Sequence, residues 1–104
     1  MDAFEVIGDP TRRRLIELLA DGERSAGDLA SCFDISFSAV SQQLRILNDA
    51  GVVATRREGR QRIYRIEAEG LDPVAAWVAH YARRYWERKL RALGGVLERI
   101  RDGT

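Results

Sequence analysis

The chain has 104 residues, 45% of them apolar and 32% charged, with a formal net charge of +1. That is one domain's worth of globular protein with a modest core, and it excludes a disordered chain. The one cysteine, Cys32, excludes an internal disulfide and cannot alone build a zinc site.

No apolar run approaches the length that crosses a bilayer, and "MDAFEVIGDP" lacks the basic and apolar regions of a signal peptide, so a cytoplasmic protein without a membrane partner is expected. Phe4, Val6 and Ile7 form a short apolar segment ahead of "GDPTRRRLIELLADG". There Asp9 caps a helix, Pro10 takes the first helical position, where its missing N–H costs nothing, and Gly22 ends it. Leu15, Ile16, Leu18 and Leu19 supply the buried stripe. The run Arg12, Arg13, Arg14 opposes the helix macrodipole, and two readings stay open for it: a phosphate contact, or solvent exposure beside local acids.

Ser25 and Asp28 make a capping box before a second helix, whose Leu29, Cys32 and Phe33 share a face. After a break, "ISFSAVSQQLRILNDAG" reads as a third helix capped by Ser36 and stopped by Gly51. Its Val40, Leu44 and Leu47 are spaced four and then three residues apart, so one face belongs to a core. Residues 25–50 are thus two short helices joined by a tight turn, which is helix-turn-helix spacing. Past Gly51 the period falls to two, and "VVATRREGRQRIYRI" is predicted as a hairpin over 52–66 with its tip at Glu58 to Arg60. A free two-stranded ribbon is only marginally stable, so this one must lean on the helices.

"EAEGLDP" is a turn, and a long helix is expected over 71–100. Along it Val74, Trp77, Val78, Tyr81 and Tyr85 make one apolar stripe. Trp86, Leu90, Leu93, Leu97 and Ile100 make a second, turned by roughly a third of a revolution. Two such faces need two partners. Gly94 and Gly95 weaken this helix near its end and favour a kink. The expected fold is mostly α with a small β-hairpin (α+β): a single winged helix-turn-helix domain over 1–104 with a long C-terminal dimerisation helix.

Positive charge is concentrated in the middle of the chain, where residues 34–66 hold six arginines against three acids, while residues 1–33 hold four against seven. The third helix carries Ser38, Ser41, Gln42 and Arg45 on the face opposite its apolar stripe, with Asp49 the only acid, at the far end. An ordinary solvent-facing helix uses Glu and Lys there. Short hydroxyls let a backbone approach phosphates and base edges closely, Gln42 offers donor and acceptor to adenine, and Arg45 can fork onto guanine or a phosphate. Acids would repel the phosphates. The second helix of such a pair is the element that enters a DNA major groove, and Arg57, Arg60 and Arg62 of the wing suit the flanking backbone or minor groove. The expected DNA-contacting set is Ser36, Ser38, Ser41, Gln42, Gln43, Arg45, Arg57, Arg60 and Arg62.

The stretches "DPTRRRLIELL", "SAGDLA", "SAVSQQLRILNDAGVV" and "REGRQRIYRI" resemble the ArsR/SmtB family of bacterial winged-helix repressors, in one unbroken register over about residues 1–70. The resemblance implies a homodimer, joined through its first and last helices, that reads a palindromic operator in double-stranded DNA. Phe4, Ile7, Trp77, Val78, Tyr81 and Tyr85 are the expected interface residues. Many members of the family bind metals through a Cys-x-Cys pair at the start of the helix that Ser25 caps here, where this chain has Ser25 and Gly27, or through His and acidic pairs on the last helix, where it has only His80. It therefore resembles the metal-independent branch, with no metal and no cofactor expected.

Two alternatives remain: a sensor repressor answering to an effector, redox change or metal at the dimer interface, and a winged helix used only for protein contacts. Cys32 reads as a small buried hydrophobe, or else as part of a sensor site across the dimer, and His80 as an interface residue before a ligand. The aromatic stripe could line an effector pocket, of unknown ligand, instead of an interface. There is no nucleophile with base and orienter, no phosphate loop and no paired carboxylates, so no enzyme is expected.

Overall fold

A computed structural model describes residues 1–102, except the side chains of 96–98 and 100–102. The chain divides into a compact unit, Met1–Pro73, and a helical unit beginning at Val74. In order the elements are α1 (Ala3–Val6), α2 (Pro10–Leu19), β1 (Arg24–Ser25), α3 (Ala26–Ala30), α4 (Phe37–Asp49), β2 (Val53–Glu58), β3 (Gln61–Ile66), a 3-10 turn (Ala68–Leu71) and α5 (Asp72–Asp102). The mostly helical class with a small sheet and a long C-terminal helix is as the sequence predicts.

The first four helices each start on a side-chain cap. Asp2 accepts from the Glu5 N–H at 2.9 Å, Asp9 from Arg12 at 3.0 Å, Ser25 from Asp28 at 3.1 Å and Ser36 from Ala39 at 3.1 Å. A cap of this kind is worth about 1 kcal/mol to a short helix. The end of α4 is equally defined. Gly51 has φ 75°, its N–H donates to Asn48 O at 3.1 Å, and Val52 N–H donates to Leu47 O at 3.0 Å. This is the Schellman arrangement, in which the hydrogen bonds bring Leu47 and Val52 together, both fully buried.

The core is built from Val6, Leu15, Leu19, Leu29, Val40, Leu44, Leu47, Val52, Val53 and Tyr64. Ile16 and Leu18, expected in the buried stripe of α2, are half-buried and pack against this cluster. The wing leans on the helices through a third strand that no sequence pattern announced: β1 pairs antiparallel with β3, giving the sheet order β1-β3-β2. Two residues cannot display a period of two, so β1 has no sequence signature. β2 and β3 pair from Val53↔Ile66 out to Glu58↔Gln61, leaving a two-residue turn whose first member, Gly59, has φ 63°. Glycine at that position matches the right-handed twist of the strands.

One expectation is corrected here, and two open readings gain detail. Cys32 lies beyond the end of α3 and is exposed, its thiol 3.5 Å from Asp28 O, because the helix stops after five residues and never turns this position inward. The first two members of the arginine run turn back to the end of α1. Arg12 donates to Val6 O at 2.7 Å and Glu5 O at 3.1 Å, and Arg13 donates to Ile7 O at 2.6 Å, so they supply partners to the orphan carbonyls of Val6 and Ile7 at the end of α1. Arg14 takes the solvent-facing reading, 3.5 Å from Glu17. Lastly, α5 runs unbroken through Gly94 and Gly95. Of its second stripe, the side chains of Leu97 and Ile100 lie outside the described residues.

Gly70 is where the 3-10 turn docks on the α4–β2 junction. A Cβ there would sit 2.2 Å from Gly51 O and 2.8 Å from Val52 Cα, and Glu67 N–H donates to Val52 O at 2.9 Å. Gly70→Ala is therefore expected to lose about 2–3 kcal/mol of folding stability. Gly27→Ala, whose Cβ would meet nothing closer than Ser25 Oγ at 3.9 Å, should be neutral or gain up to about 1 kcal/mol. Urea unfolding of both variants checks the contrast, and equal midpoints would contradict it.

Candidate nucleic-acid interface

Burial of Val40, Leu44 and Leu47 fixes the rotation of α4, and the opposite face follows from 100° per residue. Ser38, Gln42 and Arg45 are exposed on it, and Ser41 is half-buried at its edge. Ser36 sits at the helix start with its Oγ accepting the cap hydrogen bond, which leaves the hydroxyl proton free to donate outward. Gln43 is half-buried. Its Oε1 accepts from Arg12 Nη1 at 3.0 Å, so it faces α2 and ties α4 to the arginine that closes α1.

Strand register sorts the wing arginines into two groups. Ala54↔Arg65 and Arg56↔Ile63 share one face of the ribbon, and Thr55↔Tyr64 and Arg57↔Arg62 share the other. On the first face each guanidinium has a carboxylate: Arg56 bonds Glu23 and, at 3.1 Å, Glu58, and Arg65 bonds Glu67 at 2.9 Å. The hydrogen bond that Arg56 donates to Glu23 holds the Arg56 pKa above its ordinary value. On the second face Arg57 and Arg62 stand directly opposite each other. Among the described residues, no carboxylate lies within ion-pair distance of Arg45, Arg57, Arg60 or Arg62.

These four arginines line one open concavity of about 760 Å³, together with Phe37, Ser41 and Asn48 of α4, Thr55 and Tyr64 of the ribbon, and the start of α3. Among the described residues, Asp49 is the one acid in its lining. Four uncompensated cations around a groove, beside a helix face of short hydrogen-bonding groups, make a surface for a polyanion with readable edges. Sequence reasoning missed Phe37 and Asn48 as members of this groove. The sign for Phe37 was available: a large apolar residue off the buried stripe, next to the cap.

The expected interface residues are found exposed or half-buried in the protomer. Trp77, Val78, Tyr81 and Tyr85 are each about half exposed, as are Trp86, Leu90 and Leu93 of the second stripe. Phe4 is exposed and Ile7 half-buried. His80 is exposed and stands edge-on to Tyr81, with ring centres 4.9 Å apart. Among the described residues, no three His, Cys, Asp or Glu side chains gather as a cation site, and no helix is long and apolar enough to cross a membrane.

Fold and groove together define a winged helix-turn-helix DNA-binding regulator. The sequence pattern of the "Bacterial regulatory protein, arsR family" matches residues 9–55. The chain is 41% identical to an HTH-type transcriptional regulator of Mycobacterium tuberculosis over 96% of its own length and 85% of that protein. It is 34% identical to the transcriptional repressor SdpR of Bacillus subtilis, over 80% of this chain and 92% of that one. Among solved structures it is similar to the homodimeric winged helix-turn-helix DNA-binding domain of a possible ArsR-family regulator of Mycobacterium bovis, with 30% identity, a TM-score of 0.61, and coverage of 81% of this chain and 78% of that one. The chain belongs to the arsR family of bacterial regulatory proteins.

The face-to-face pair Arg57↔Arg62 repels across the strands. Arg62→Glu turns it into an opposite-charge pair and is expected to raise folding stability by about 0.2–1 kcal/mol. Arg56→Glu, which breaks the contacts with Glu23 and Glu58, is expected to lower it. Denaturant midpoints test both signs, and a fall for Arg62→Glu would mean that the two arginines do not repel in the folded protein.

Proposed function

We propose that the protein is a homodimeric repressor that binds a palindromic operator in double-stranded DNA, acts in the cytoplasm and carries out no catalytic step. Its 104 residues form one winged helix-turn-helix domain whose last helix serves dimerisation. The observation that carries this reading is the groove in which Arg45, Arg57, Arg60 and Arg62 are uncompensated beside the acid-poor face of α4. Ser38, Ser41, Gln42 and Arg45 read base edges, Ser36 donates to a phosphate, and Arg57, Arg60 and Arg62 hold the flanking backbone or minor groove. Gln43 positions α4 through Arg12 in place of a direct contact. The repressor named among the relatives, SdpR, supports the regulatory sign, and the homodimeric neighbour supports the assembly. Trp77, Val78, Tyr81 and Tyr85, with Phe4 or Ile7, supply the interface. The chain offers one thiol and one imidazole, too few strong donors for a switching metal site, so operator binding is metal-independent.

Selection of bound sites from random duplexes is expected to return a palindrome with half-sites about one DNA turn apart or a multiple of it. On that operator Gln42→Ala and Arg45→Ala should each lose about 1–3 kcal/mol, while Arg60→Ala weakens binding to all sequences and lowers the salt slope by about one. Binding isotherms at several salt concentrations distinguish the two behaviours. Unchanged affinity in both α4 variants would remove the assigned reading face.

The assembly has its own test. A Trp77→Glu, Tyr81→Glu double variant is expected to sediment as a monomer at low micromolar concentration and to keep a folded reading head by circular dichroism. A dimer that persists would take the first stripe of α5 out of the interface.

A further inference from the structure

Phe37 is the first residue of α4, and 58% of its surface is exposed. The first turn of a helix favours proline or an acid, yet α4 has no acid there and spends the position on a large apolar ring. Phe37, Ser41 and Arg45 are spaced at four-residue intervals, so they form one row along the helix, and all three line the arginine-rich groove. Ile35, the neighbouring exposed hydrophobe, is not part of that lining.

In a major groove the apolar group offered by a base edge is the C5-methyl of thymine. A phenyl ring has no donor or acceptor, so the polar edges of the other bases would lose water against it without a replacement hydrogen bond. We propose that Phe37 is a specificity-determining residue that receives the C5-methyl of one thymine in each half-site. The inference rests on the DNA-binding reading and adds a position to it. Eight residues of helix rise about 12 Å. Base pairs are about 3.4 Å apart, so this thymine lies at most three or four base pairs from the base contacted by Arg45, and nearer if the helix is inclined to the DNA axis.

The experiment uses the full chain and the duplex returned by site selection, with each thymine replaced singly by deoxyuridine, a change that removes only the methyl group. Wild-type protein is expected to bind about fourfold more weakly at one thymine per half-site, the worth of one buried methyl. Phe37→Ala should show no penalty at that position and Phe37→Leu a partial one, whereas Ile35→Ala should keep the full penalty. Because Phe37 is exposed, Phe37→Ala should unfold at the wild-type urea midpoint, so its binding reports the contact.

The inference is overturned if no deoxyuridine weakens the wild type, or if Phe37→Ala suffers the same penalty. Either result leaves the effects of Gln42→Ala and Arg45→Ala in place. Failure of the underlying DNA reading looks different: those two variants bind as wild type, or no duplex is selected at all.

Discussion

The burial of Val40, Leu44 and Leu47 is the constraint from which the rest of the reading head follows. Their spacing of four and three residues leaves α4 one rotation about its own axis that empties all three side chains of water. Losing that burial would cost several kcal/mol, since each side chain is worth about 1.5–3 kcal/mol. No single polar contact on the opposite face can compete with it. The direction in which Ser38, Gln42 and Arg45 point is therefore set by residues that never meet solvent. The Schellman ending adds a second restraint, because Leu47 and Val52 must meet while Gly51 reverses the chain into β2. Helix rotation and wing position are thus fixed by one apolar cluster.

The charges are arranged with equal economy by strand periodicity. Alternation along β2 and β3 sends Arg56 and Arg65 to glutamates, where they stabilise the ribbon, and sends Arg57 and Arg62 to the groove, where they oppose each other. A one-residue slip in register would exchange these roles. The turn at Gly59 and the pairing of β1 with β3 hold that register. The groove arginines thus bring local repulsion that the core must outweigh, which is the pattern expected of groups kept for a partner outside the protein.

Much of this was legible in the sequence because it is local. Asp9, Ser25, Ser36 and Gly51 announce helix ends through hydrogen bonds to residues a few positions away, and the change of period at Val52 announces the ribbon. What escaped depends on distant partners. Arg12 reaches back to α1 and across to Gln43, Gly70 is required by the backbone of Gly51, and β1 exists only because β3 passes beside it. None of these leaves a mark in the residues nearby. Cys32 was misjudged for the converse reason: a helical face was extended past the point where α3 stops.

The stripes of α5 pose a different question, one that a single chain does not answer. The buried apolar cluster runs from Val6 to Tyr64. On α5, Trp77, Tyr81, Tyr85, Trp86, Leu90 and Leu93 are each more than half exposed. Surface of that extent on one helix favours association, so the stability of a protomer in the dimer we propose rises with its concentration. In the proposed dimer the same association would join two reading heads into one bivalent ligand. The second half-site is then met at an effective concentration set by the geometry of the dimer, and affinity for the whole operator can far exceed that of either half. On that reading an interface residue such as Tyr81 controls operator occupancy as strongly as one that reads a base.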